Sequence, residues 1–110
     1  MRARFFFKAR ILVSALICAT TAAAPLHAED DTAEKIQQGS RIYSQNCSAC
    51  HGPRMLDPQG AFDLKTFPRD QRERFLVSVA KGKNQMPPWG GLLSTADIEA
   101  LWLYVMAGER

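Results

Sequence analysis

The apolar positions of this chain form one uninterrupted run and three stretches of helical period, and none alternates with the period of two that marks a half-buried strand. Ile11 to Ala24 is the run, 14 residues without a charge, preceded by the basic Arg2, Arg4, Lys8 and Arg10. The first periodic stretch extends from Asp31 to about Asn46. There Ile36, Gly39, Ser40 and Tyr43 share a face, and Asp31, three residues before Glu34, is placed as a capping box. The second stretch has Pro68 in its first turn, Phe75, Leu76 and Val79 on its apolar face, and Gly82 at its end. The third is the clearest: Ser94 and Asp97 make a capping box, and Leu93 with Ile98 a hydrophobic staple. Ile98, Leu101, Trp102 and Val105 then repeat at i, i+3, i+4 and i+7, and Gly108 closes the pattern. These periods predict an all-α fold.

Composition changes the picture at the N-terminus. The 110 residues carry 14 Lys and Arg against 11 Asp and Glu, a net charge of +3. Four of those basic residues and no acid lie in residues 1–28, so residues 29–110 hold ten basic and eleven acidic side chains, a net −1. The basic excess belongs to the leader and is no argument for a nucleic-acid partner. A positive segment, an uncharged run and the small Ala28 before Glu29 predict a secretory signal over 1–28, cleaved near Ala28 to leave one domain over 29–110. The competing reading is a retained anchor. It has 18 uncharged residues from Ile11 to Ala28, at the short edge of the roughly 20 that span a bilayer. The expected location is the periplasm, with no membrane span after the signal is removed. A domain this short buries only roughly 60% of its unfolded surface and needs a disulfide, metal or cofactor as a staple.

Residues 29–110, without the leader's Cys18 and His27, keep two cysteines and one histidine, contiguous as Cys47-Ser48-Ala49-Cys50-His51. This C-x-x-C-H string is the attachment signature of c-type haem: two thiols add to the two vinyl groups, and the next imidazole is carried over the ring to bind iron. A zinc site would need a second pair of Cys or His ligands, which residues 29–110 do not contain. A redox thiol pair would want a βαβ pattern around it. A structural disulfide across four residues would constrain little of the unfolded state. One haem c, covalently attached through Cys47 and Cys50, is the expected cofactor.

With C-x-x-C-H, Gly39 and Tyr43 before it, Met86-Pro87 after it and a closing Leu101-Trp102-Leu103-Tyr104, nearly all of Thr32–Gly108 resembles the small class I c-type cytochromes. The resemblance implies three to four helices around one covalently bound haem, with Tyr104 meeting Gly39 and Tyr43 where the terminal helices cross. It also implies a His/Met-ligated iron, with His51 and Met86 as the metal ligands and Cys47, Cys50, His51 and Met86 as the cofactor-binding set. The residues agree with that choice among the three methionines of 29–110. Met55 is only four residues past His51, Met106 lies within the last helical stretch, and Met86 precedes two prolines that present it from a stiff loop. The segment Gly52–Thr66 departs from the family's pattern; Pro58 is the candidate for the backbone carbonyl that orients the histidine. Phe62, Leu64 and Phe67 read as haem-packing residues, and Trp89 as either a core aromatic or a donor to a haem propionate.

A Met/His pair raises the haem potential and saturates the iron, which favours electron transfer over small-molecule binding. No catalytic constellation accompanies the motif, so the expected protein is an electron carrier and not an enzyme. It would move single electrons between a periplasmic dehydrogenase and a downstream acceptor, a terminal oxidase or another cytochrome, as a monomer or in transient complexes. Arg54, Lys81 and Lys83 flank the ligand loops and either orient such a partner or are solvated charge. Two alternatives stay open: a dedicated haem subunit of a quinoprotein alcohol dehydrogenase, whose small cytochromes the segments Phe62–Leu64 and Gly82–Gly91 resemble, and a gas sensor or peroxidase with an open iron site.

Overall fold

The computed structural model of the protein describes residues 27–108, so the expected signal segment lies outside the described residues apart from His27 and Ala28. Four α-helices follow in order: α1 (His27–Asn46), α2 (Ser48–His51), α3 (Arg72–Lys81) and α4 (Thr95–Ala107), with single 3-10 turns at Pro53–Met55 and Leu64–Thr66. Among the described residues there is no strand, only an isolated bridge between Lys83 and Met86. The fold is all-α, as the periods require.

α1 and α4 pack along one another and α3 packs against α4. The contact between the terminal helices is close because of Gly39. A Cβ there would lie 2.8 Å from the Tyr104 Cβ and would run into the Ala100 carbonyl. One turn further on, Tyr43 and Tyr104 bring their ring centroids to 5.2 Å. Ile98, Leu101, Trp102 and Val105, the face predicted for the last helix, are all buried, and Leu93 packs against the same cluster. The Ser94 capping box is complete: Asp97 N donates to Ser94 Oγ at 3.1 Å, and Ser94 N donates to the Asp97 carboxylate at 2.9 Å.

Two helix starts differ from the sequence expectation. α1 already includes His27, so Asp31 is interior and makes no capping box. The residues before Asp31 continue the helix, with the acidic Glu29 and Asp30 in its first turn, where they complement the helix dipole. α3 starts at Arg72, not in the turn of Pro68. Pro68–Gln71 closes a separate turn, with Gln71 N donating to Pro68 O, and Gln71 at φ −109°, ψ 42° interrupts the helical path. Among the described residues no helix is long and apolar enough to cross a membrane.

Candidate functional site

α1 ends at Asn46 and the chain bends directly into α2, with Cys47 N donating to Tyr43 O at 2.9 Å. Within α2, Cys50 N and His51 N both donate to the Cys47 carbonyl, so Cys47, Cys50 and His51 fall one turn apart on one face. Cys47 is half-buried and Cys50 exposed. Burial, followed by the neighbouring Cys50, pushes the Cys47 thiol up to about 11. The His51 Nδ1 lies 3.0 Å from the carbonyl oxygen of Phe62. A carbonyl can only accept, so this bond places the proton on Nδ1 and leaves the Nε2 lone pair free to ligate.

The loop between those partners has an unusual backbone. Gly52, Arg54, Met55, Asp57, Gln59 and Gly60 all have positive φ. At Gly52 (φ 83°, ψ 149°) only glycine fits, since a Cβ would also lie 2.7 Å from the Asp57 carbonyl carbon. Met55, at 2% exposure, anchors the loop in the core. The Pro58 carbonyl does not orient His51; it accepts from Ala61 N at 2.8 Å, and Phe62 supplies the carbonyl instead. The loop runs four residues further than expected before it returns to the imidazole.

The other half of the site leaves α3 at Gly82. Lys83 N donates to Met86 O and Met86 N to Lys83 O, both at 3.0 Å, closing a four-residue turn. After Pro87 and Pro88, Trp89 N donates to Val79 O at 2.9 Å and Gly90 N to Ala80 O at 3.0 Å. The segment that carries Met86 thereby caps the last carbonyls of α3.

Cys47, Cys50, His51 and Met86 all line one cavity of about 850 Å³, inside the roughly 300–1,000 Å³ usual for ligand and cofactor sites. Phe62, Leu64, Phe67, Phe75, Val79, Trp89, Leu101 and Val105 contribute its apolar walls, and Trp89 also packs on the core. Phe67 is the centre of an aromatic group, with ring centroids 5.5 Å from Phe75 and 6.1 Å from Trp102. Among the described residues the charged side chains on the lining are Arg74, whose guanidinium stacks 5.2 Å above Phe67, and Lys83, and none of the described carboxylates lines it. An apolar slot with two thiols at one edge, two candidate iron ligands and only cationic charge fits a flat macrocycle that bears two carboxylates. Met55 and Met106 do not line this cavity; they belong to the core. Arg54, Lys81 and Lys83 are exposed, and of these only Lys83 reaches the cavity. Sequence reasoning missed Arg74 and the Phe62 carbonyl. A C-x-x-C-H motif implies a need for both functions but says nothing of which residues supply them.

Comparison with known proteins agrees with this geometry. Residues 34–105 match the family model described as cytochrome C oxidase, cbb3-type, subunit III. The chain is 38% identical over 74 residues to cytochrome c6 of Microcystis aeruginosa, covering 63% of this chain and 91% of that one. It is 34% identical over 105 residues to cytochrome c6 of Synechococcus sp., covering 87% of each. It is also 33% identical over 79 residues, 69% of this chain, to quinohemoprotein alcohol dehydrogenase ADH IIB of Pseudomonas putida, of which the match covers 11%. No solved structure gives a significant match. With its paired thiols, its imidazole and an apolar slot of the right size, the chain belongs to this cytochrome c family, as a small c-type cytochrome with covalently bound haem c that carries electrons.

Proposed function

We propose that the protein is an exported, periplasmic monohaem carrier that moves single electrons between a periplasmic dehydrogenase and a downstream acceptor of a respiratory chain. The observation that carries this reading is the meeting of Cys47, Cys50, His51 and Met86 on one apolar cavity although Met86 belongs to a different loop. Haem c supplies reversible one-electron exchange when bound. The chain's own residues do the rest. Cys47 and Cys50 hold the macrocycle at one edge, and His51, held in one tautomer by the Phe62 carbonyl, offers Nε2 as a ligand. Met86 offers its thioether from a turn that its own backbone closes. A thioether from Met86 would favour the ferrous state of the bound group, and with His51 and Met86 both holding it the site would offer no room for a substrate. Phe67, Phe75 and the neighbouring apolar residues exclude water, which keeps the reorganisation on electron exchange small. Phe62, 51% exposed on the cavity lining, would be the residue through which a docked partner approaches the cavity.

The match to a quinohemoprotein alcohol dehydrogenase supports a second reading, a dedicated haem subunit of such an enzyme. Co-purification of the chain with a dehydrogenase on gel filtration, against its elution as a free monomer, separates the two. The ligand assignment is tested optically. The ferric protein should show the near-infrared sulfur–iron band. Met86→Ala should keep haem covalently attached, lose that band, bind carbon monoxide or imidazole, and fall in midpoint potential. A wild type that lacks the band and binds carbon monoxide would replace the carrier with a sensor or peroxidase. Export is tested by intact mass: a chain starting near Glu29 plus one haem is expected, and a mass that retains Met1–Ala28 would establish the anchor.

A further inference from the structure

Tyr43 is 1% exposed and packs its ring on Tyr104, and a phenylalanine would fill that space equally well. Its hydroxyl does something a phenylalanine cannot. It donates a 2.6 Å hydrogen bond to the carbonyl of Gly52, in the peptide that joins this glycine, the residue after His51, to Pro53. The same carbonyl also accepts from Met55 N at 3.2 Å, so both its lone pairs are used. Burial pushes the phenol up to about 12, and the donor proton therefore stays in place throughout the physiological range.

What this bond holds follows from the loop beyond it. Residues 51–62 form a ring closed by the contact of His51 Nδ1 with the Phe62 carbonyl. Six of the nine residues from Gly52 to Gly60 have positive φ, and four of them are not glycine. Such a backbone has little local preference for its own shape and keeps it only where its surroundings impose it. It is fixed by the Tyr43 hydroxyl at its first peptide, by the buried Met55 side chain, and at its far end by the imidazole itself. The first two anchors both lie on the chain between the imidazole and the Phe62 carbonyl.

We infer that Tyr43 is a positioning residue for the axial histidine: through Gly52 its hydroxyl holds the His51–Phe62 hydrogen bond and so sets the donor strength of the imidazole. The inference rests on the reading of His51 as an iron ligand. An imidazole whose N–H is held by a carbonyl is the more basic ligand and favours ferric iron. Loosening the bond therefore raises the midpoint potential.

The test compares holoprotein variants by two readouts, the solvent exchange rate of the His51 Nδ1 proton, followed by NMR in the ferrous state, and the midpoint potential. Tyr43→Phe should exchange that proton at least tenfold faster than wild type and have a higher potential. Ile98→Val, a buried change away from the cavity lining, should lose stability and keep wild-type values of both. 3-Fluorotyrosine at position 43 alone keeps the side chain's shape and makes its hydroxyl a stronger donor, so exchange should slow and the potential fall. Wild-type exchange and potential in Tyr43→Phe would overturn the proposal, as would an equal shift in Ile98→Val. If Tyr43→Phe does not fold, unchanged values in the fluorinated protein overturn it. A wild type without the spectrum of a histidine-ligated iron would overturn both this proposal and the ligand reading beneath it, and is recognised before any variant is made.

Discussion

The two loops that bring candidate ligands to the cavity are held by opposite means. The Met86 side is held by helix ends: its amides at Trp89 and Gly90 bond the last carbonyls of α3, and the chain then runs into the capping box of α4. Each of those bonds satisfies a group that a helix terminus leaves open, so the loop is ordered by its neighbours' needs. The His51 side has no helix end to complete beyond α2. It depends on a tyrosine hydroxyl from α1, a buried methionine and a run of left-handed residues. The difference teaches where strain is affordable. The loop that carries the thioether can be built from regular parts, whereas the loop that must return a carbonyl to an imidazole eleven residues back is closed against local preference.

The largest expected effect tests that closure. Gly52→Ala should cost on the order of 3 kcal/mol or more, because the position combines a glycine-only backbone with a collision at Asp57. On the Met86 side, Pro87→Ala changes chiefly the freedom of the unfolded chain and should cost about 0.4–1 kcal/mol. Chemical denaturation of the two haem-loaded variants measures both. Equal costs would end the contrast between a strained and a regular loop.

The methionines divide in the same way. Met55→Ala empties a core position and should lose roughly 2–5 kcal/mol while the sulfur–iron band survives. Met86→Ala, at a half-buried position, should lose the band for a smaller loss of packing. Paired denaturation curves and near-infrared spectra check the assignment. A Met55→Ala protein without the band would make the buried methionine the ligand.

This contrast also explains what was legible in the sequence. Gly82, Pro87-Pro88 and the Ser94–Asp97 pair act through their own backbone or one turn of helix, so the Met86 loop reads almost directly from the residue order. The same holds for Cys47, Cys50 and His51, which a single turn aligns. Gly39 was legible because a glycine on a helical face needs a close neighbour to explain it, and the Ala100 backbone is that neighbour. The His51 loop was not legible. Nothing in the side chains of Arg54, Met55 or Gln59 favours a positive φ. Any residue can offer a carbonyl, so Phe62 left no mark to set it above Pro58. The early start of α1 was missed for a related reason: Asp31 can cap a helix, but the residues before it continue one equally well.

The second anchor of the Met86 side is open to a pH experiment. Bonds from the Ser94 backbone, then from its hydroxyl, and a further one from Gln38 at 2.8 Å hold the Asp97 carboxyl below the usual carboxylate range. Because the folded value is the lower one, its stabilisation is complete above the unfolded value of about 3.9 and is lost as the pH falls through the folded one. Asp97→Asn should therefore cost about 1 kcal/mol at neutral pH, a modest figure for a cap reached by solvent. The gap to wild type should narrow once the pH drops below about 4. Thermal melts of both proteins across that range measure it, and a gap that stays constant would show that the charge contributes nothing.

The smallest effect separates strain from mere irregularity. Arg54 is exposed at φ 54°, ψ 28°, where a side chain other than glycine or asparagine sits at a cost of roughly 1–3 kcal/mol. Arg54→Gly relieves that cost and adds about 0.5–1 kcal/mol of backbone freedom to the unfolded chain, so the two terms nearly cancel with a small balance toward stability. Gln85, in the turn that closes on Met86, is equally exposed but has no positive φ. There Gln85→Gly has nothing to relieve and should cost the full 0.5–1 kcal/mol. Asn84, beside it at φ 54°, is a residue type that tolerates this conformation, so the Met86 turn meets its one left-handed position by residue choice. Denaturant titration of Arg54→Gly and Gln85→Gly in haem-loaded protein resolves a difference of this size. The expected order places Arg54→Gly at or above wild type and Gln85→Gly below it. The reverse order would mean that the left-handed backbone around Arg54 is not strained, and the His51 loop would then need no anchor at Tyr43 to keep its shape.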